Sequence, residues 1–127
     1  MDANARIALL RDAYRHFNAR EVNELLAMMT DDVEWPDVAG GTVLHGRQQV
    51  RAYWDAQFAV ADPQVEPIDF TVVGGDVAAE VDQRVLDLDG TTLVEPATVW
   101  HRYSFAGDLV CAMVVHTDAG EALSGTP

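Results

Sequence analysis

Beyond residue 62 the chain is divided by three tight-turn words, Gly74-Gly75-Asp76, Asp89-Gly90 and Ala106-Gly107-Asp108. Around them the apolar pattern has period two: Ile68, Phe70 and Val72 mark one strand, residues 77–88 a second, residues 92–105 a third, and Leu109 to Thr117 a fourth. Turns this short join only antiparallel neighbours, because a parallel return needs a crossover of a dozen residues or more. Half of the chain is thereby committed to an antiparallel sheet. A sheet of this kind needs one face covered.

The first half supplies the cover. Ile7, Leu10, Tyr14 and Phe17 recur at three- and four-residue steps and predict a helix over residues 3–17, closed by Asn18 in a left-handed conformation. Val22, Leu25, Leu26 and Met29 share a face of a second, short helix that Thr30-Asp31-Asp32 ends. Val33, Trp35 and Asp37 then alternate as in a short strand, and Gly40, Gly41 and Gly46 mark a loop. Val50, Tyr53, Trp54 and Phe58 predict a third helix over residues 47–61, stopped by Asp62-Pro63. The fold class is α+β, with three N-terminal helices laid on one face of a curved, mainly antiparallel sheet. The length of 127 residues suits one domain, expected over residues 1–118, with residues 119–127 as a frayed tail.

Charge narrows the partners. Eight basic residues against 21 acidic ones give a formal net charge of −13, which repels phosphate backbones and anionic lipid. Nucleic acid and membrane surfaces are therefore poor partners, and a neutral or weakly cationic ligand suits the chain, since its few arginines are scattered along the sequence. The opening MDANARIALLRD mixes charges among its apolar residues, unlike a secretory leader, so a cytoplasmic protein is expected. Cys111, the only cysteine, excludes an intrachain disulfide and reads as a small hydrophobe within LVCAMVV. The four histidines show neither HxH nor HExxH spacing, so no metal site is expected. Gly40-Gly41 and Gly74-Gly75 read as turns rather than phosphate loops, and no nucleophile elbow is present.

Four words carry a resemblance: YRHFNAREVNELLAMMTDDVEW, HGRQQVRAYWDAQF, the Asp87-Leu88-Asp89-Gly90 hairpin, and WHRYSFAGDLVCAMVV. In this order they resemble the nuclear transport factor 2-like superfamily, and within it the SnoaL-like proteins. The resemblance covers nearly the whole chain. It implies a cone-shaped α+β barrel whose apolar interior opens at one end, and commonly a homodimer paired through the outer sheet face. The superfamily holds isomerases, polyketide cyclases, dehydratases, epoxide hydrolases and simple binders, so the fold does not choose the reaction.

Placed on the family's pattern, Asp37 falls where ketosteroid isomerases keep a carboxylate that shuttles a proton between carbons. His101 falls where they carry a protonated acid that donates to the developing oxyanion, a bond that imidazole can also make. His101 on the convex face is the alternative, since a one-residue register change reverses its direction. Ala13 takes the position of the isomerases' helix-borne tyrosine, with Tyr14 one residue away, which speaks against steroid isomerisation of that type. His116 shares a strand face with Ala112 and Val114, and assists at the pocket if that face is the inner one; otherwise it ends a strand. His45 orders a loop or caps the third helix, and His16 lies off the apolar stripe.

Asp82 and Arg84, two apart on one strand face, either orient a polar substrate group inside the cone or form a surface ion pair. Trp35, Tyr14, Tyr53, Trp54 and Tyr103 would wall the pocket and favour a flat or aromatic ligand, unless they serve only as core. The reading is a small cofactor-free acid–base enzyme of cyclase, isomerase or dehydratase type, acting on an apolar cyclic or polyketide-like metabolite. The rival is a non-catalytic ligand-binding or dimerisation module of the same fold.

Overall fold

The computed structural model describes residues 2–38 and 40–124. Helix α1, Ala3–Asn18, starts where Asp2 Oδ1 accepts the Ala5 amide at 2.7 Å, and it buries Leu10 and Tyr14. Its end differs from the expected left-handed Asn18. Arg20 takes the positive φ of 63°, and the Asn18 carboxamide instead bonds the backbone of Val65, accepting from its amide at 3.0 Å and donating to its carbonyl at 2.7 Å. That side chain spans from the helix to the sheet edge as a strand neighbour would. Helix α2, Val22–Ala27, buries Leu25 and Leu26.

Strand β1, Met29–Asp37, begins earlier than its alternation suggests. Thr30-Asp31-Asp32 does not end a helix: the Val110 amide donates to the Met28 carbonyl, and Met29 pairs with Val110, which draws the chain into the sheet. Strand β2, Thr42–His45, pairs antiparallel with β1 inside the segment read as a glycine loop. Helix α3, Arg47–Val60, buries Val50 and Trp54. The strands β3, Asp62–Val73; β4, Asp76–Leu86; β5, Thr92–Ala106; and β6, Leu109–His116, form the expected antiparallel run. Strand β3 starts ahead of Ile68, and it accommodates Pro63 and Pro67 because it is an edge strand, where a missing N–H costs no ladder bond.

The sheet order is β2-β1-β6-β5-β4-β3, with β1 and β6 as the parallel pair. Inner-face residues Val77, Ala79 and Val81 of β4, Val99 and Tyr103 of β5, and Met113 of β6 pack on Leu10 and Tyr14. A second cluster gathers Leu25, Leu26, Val33, Val50 and Trp54, and Trp35 packs against both. Each fully buried side chain of this kind contributes about 1.5–3 kcal/mol. Aromatic contacts run from one cluster into the other: Trp54 to Trp35 at 5.4 Å, Trp35 to Tyr103 at 6.3 Å, and Tyr103 to Tyr14 at 6.3 Å.

Two arginines fasten the periphery. Arg6 donates to the Gly75 carbonyl at 2.9 Å and the Gly107 carbonyl at 3.4 Å, and its guanidinium covers the Phe105 ring at 4.8 Å. One helical side chain thus ties two hairpin turns together. Arg102 pairs with Asp76 at 2.9 Å and reaches the carbonyls of Ala122 and Ser124. The expected frayed tail is a short helix α4, Ala119–Ala122, capped by Asp118 Oδ1 on the Gly120 amide, with Ala122 fully buried. Residues 125–127 lie outside the described residues. Among the described residues, no helix is long and apolar enough to cross a membrane.

Candidate functional site

His101 lies on β5 between Ala79 of β4 and Val115 of β6, on the inner face with Val99 and Tyr103. It is the buried polar side chain of the core, with 7% of its surface exposed. Its Nδ1 lies 2.9 Å from the Tyr14 hydroxyl, and the Tyr103 hydroxyl donates to Tyr14 at 2.8 Å. Burial lowers the His101 pKa to about 4, because the charged ring would lose its hydration. The imidazole is therefore neutral at neutral pH. Burial likewise pushes the Tyr14 pKa well above the usual tyrosine range, with the neighbouring Tyr103 adding to it, and burial raises Tyr103 as well. All three groups stay uncharged, which suits hydrogen-bond donation to a developing oxyanion rather than ionic binding.

The arrangement has two proton placements. Either Tyr14 donates to Nδ1 and leaves an Nε2–H, or Nδ1–H donates to Tyr14, whose own proton then faces outward. In the second, the Tyr14 oxygen accepts from both Tyr103 and His101, and such chains strengthen the terminal donor. Among the described residues, His101 Nε2 has no hydrogen-bond partner.

Tyr14, rather than Ala13, is thus the helix-borne residue aimed at the sheet interior. Ala13 packs toward the other core cluster. The two residues are neighbours in sequence and stand 100° apart around the helix.

Asp37 shares the strand face of Val33 and Trp35 and is half-buried. Its Oδ1 accepts the Gly40 amide at 2.9 Å, and its charge adds to the effect of burial in raising the Tyr53 pKa. A Cβ on residue 40 would lie 2.6 Å from Asp37 Oδ2, so glycine at that position is what lets the carboxylate fold against its own turn. No hydrogen bond joins Asp37 to His101 among the described residues.

A cleft of about 430 Å³ opens between α1 and the paired segments of β3 and β4. Tyr14 forms part of its lining, with Arg11, Arg15 and Asn18 from the helix, Gln64 to Pro67 and Asp82 to Arg84 from the strands, and Pro96. Neither Asp37 nor His101 lines it. Tyr14 connects the cleft to His101.

Strand register decides the direction of His116 and Val114. His116 opposes Trp100, and Val114 opposes Arg102, while the inner-face residues His101 and Tyr103 oppose Val115 and Met113. His116 and Val114 therefore lie on the outer face, where Val114 is half-exposed and His116 Nδ1 faces Glu121 Oε2 at 3.6 Å. Asp82 and Arg84 form no ion pair with each other: Asp82 accepts from Thr98 Oγ1 at 3.0 Å, and both are exposed at the border of the cleft. Trp54 and Tyr103 are core residues, with 2% and 4% of their surface exposed, while Trp35 and Tyr53 are half-buried. No group of three or more His, Cys, Asp or Glu side chains is gathered for a metal among the described residues.

A SnoaL-like domain profile matches residues 10–120. The chain belongs to the SnoaL-like family. No curated protein matches this SnoaL-like chain. Its fold is shared by a nuclear transport factor 2-like protein of unknown function from Burkholderia pseudomallei, at 20% identity and TM-score 0.78 over 98% of this chain and 99% of that one. TerC, co-crystallised with polyporic acid, matches at 22% identity and TM-score 0.77 over 94% and 98% of the two chains. A provisionally assigned polyketide cyclase from Xanthomonas campestris pv. campestris matches at 16% identity and TM-score 0.78 over 94% and 95%. At these identities the likeness is one of fold: an α+β cone with a curled six-stranded mixed sheet and helices on one face.

Proposed function

We propose that the protein is a small acid–base enzyme of cyclase or isomerase kind, acting on a flat, largely apolar metabolite that enters the α1–β3–β4 cleft. The observation that carries this reading is the buried Tyr103–Tyr14–His101 hydrogen-bonded chain, whose middle member, Tyr14, lines that cleft. In this reading Tyr14 donates to the substrate carbonyl, supported by Tyr103 and the neutral His101. Asp37 and Trp35 lie outside the cleft lining, so in this reading the substrate reaches past Tyr14 toward Trp35, where Asp37 takes and returns the proton. Each step is a proton transfer or a hydrogen bond, so the reaction requires no added cofactor. Removing one oxyanion donor of this sort costs about a hundred- to a thousandfold in rate, and removing the base about as much or more. The co-crystallisation of TerC with polyporic acid and the provisionally assigned polyketide cyclase lend the substrate class support.

The rival reading, ligand storage without chemistry, is favoured by one observation: Asp37 already caps its own turn through the Gly40 amide. Deuterium exchange at the α-carbon of an aryl ketone such as α-tetralone, followed by NMR, separates the two. Catalysed exchange that Asp37→Asn and Tyr14→Phe each abolish is the expected result. Ketone binding with no exchange above background would leave storage as the function. Homodimer formation through the outer sheet face belongs to the same reading, and light scattering that returns a monomer mass refutes it.

A further inference from the structure

All eight cationic side chains are arginines. Six of them hold an acceptor of the chain: Arg6 the turn carbonyls, Arg15 Asp12, Arg20 Asp62, Arg47 Asp31, Arg51 Asn23, and Arg102 Asp76. Among the described residues, Arg11 and Arg84 hold none; Arg11 rests over the Phe70 ring at 4.8 Å, and Arg84 has no recorded partner. In a chain with 21 acidic residues, two uncommitted guanidiniums are unexpected. Both line the same cleft, one from α1 and one from β4, and Arg15 stands one helical turn beyond Arg11 on the same side.

We infer that this cleft receives an aromatic monoanion, a carboxylate or phenolate, whose charged end is held by Arg11 and Arg84. Its ring lies against Val65, Pro67, Pro96 and the face of Tyr14. The two carboxylates that share the lining, Glu66 and Asp82, set the charge state of the ligand. Arg15 is paired with Asp12, so Arg11 and Arg84 stand against Glu66 and Asp82 at a local balance near zero, within a chain of net charge −13, and one added negative charge is tolerated there better than two. The strongly negative remainder of the surface repels anions elsewhere, so the cleft is where such a ligand is retained. This reverses the expectation of a neutral or cationic ligand, which follows from net charge alone.

The inference rests on the reading of the cleft as the substrate site, since Tyr14 belongs to both. Titration calorimetry with 2-naphthoate and its uncharged counterpart 2-naphthamide tests it. The acid is expected to bind at least about tenfold more tightly than the amide, the worth of one charge-assisted contact. Arg84→Gln, which removes no recorded contact, should reduce that preference, and Arg11→Gln/Arg84→Gln should erase it. Equal affinities, a preference unchanged in the double variant, or no binding of either compound at millimolar concentration would each overturn the inference. The measurement reads binding alone. Its failure leaves catalysed ketone exchange standing, and absent exchange leaves an arginine-dependent preference standing.

Discussion

The Tyr14 hydroxyl and Nδ1 of His101 lie 2.9 Å apart, although 87 positions separate the two residues in sequence. Both stand in the core with little access to water, so the imidazole Nδ1 depends on Tyr14 for its hydrogen bond, and Tyr14 bonds both His101 and Tyr103. Replacing Tyr14 with Phe leaves both the imidazole nitrogen and the Tyr103 hydroxyl without a partner. Urea denaturation should show a loss of about 1–3 kcal/mol. Tyr103→Phe removes a donor only, and should cost less. A Tyr14→Phe protein as stable as the parent would mean that water substitutes freely, and the relay would not be a structural unit.

His101 also gives the protein a pH dependence of known sign. Its folded pKa, about 4, is depressed below the ordinary 6.5, so between these values the unfolded chain takes up a proton that the buried ring refuses. Stability from this group is complete above about pH 6.5 and declines as pH falls toward 4, with a slope approaching about 1.4 kcal/mol per pH unit. Carboxylates contribute over part of the same range, so the comparison is with His101→Gln, whose curve should be flatter in that window. Superimposable curves would show that the ring titrates as it does in water.

Gly40 offers a way to disturb Asp37 without changing its chemistry. A methyl group at residue 40 meets Asp37 Oδ2 at 2.6 Å and must push the carboxylate away. Gly40→Ala should therefore reduce α-proton exchange about ten- to a hundredfold, in keeping with the sensitivity of catalysis to ångström-scale displacement. Exchange at the parent rate, with the Asp37→Asn variant inactive, would show that the turn can relax around the methyl group.

Asn18 replaces two ladder bonds at the open edge of β3. Asn18→Ala exposes the Val65 amide and carbonyl, and a loss of about 1–3 kcal/mol is expected by thermal or chemical denaturation. Because Asn18 and Val65 both line the cleft, 2-naphthoate affinity should fall in parallel. Unchanged stability would assign these bonds to water.

The long strands and their turns were legible in the sequence because alternation and Gly-Asp words are local signals. β2 was not, since four residues between glycines carry no period. The direction of His116 stayed open in the sequence for a different reason. Ala112, Val114 and His116 alternate with Met113 and Val115, both faces are apolar enough to be buried, and only pairing with β5 decides between them. Tyr14 was named as a wall residue, but its bond to His101 joins α1 to β5 and has no trace in either segment alone. The same holds for Arg11 and Arg84, scattered in sequence and gathered by the packing of a helix on a strand edge.

Arg6 binds the turns after β3 and β5 to one helix, so at that end the two hairpins can shift only as a single body. At the opposite end residues 92–98 of β5 are all exposed to solvent, and the cleft lies beside them through Pro96. If the cleft takes a ligand as proposed, the shape that receives it is set at the end of the sheet away from the Arg6 anchor.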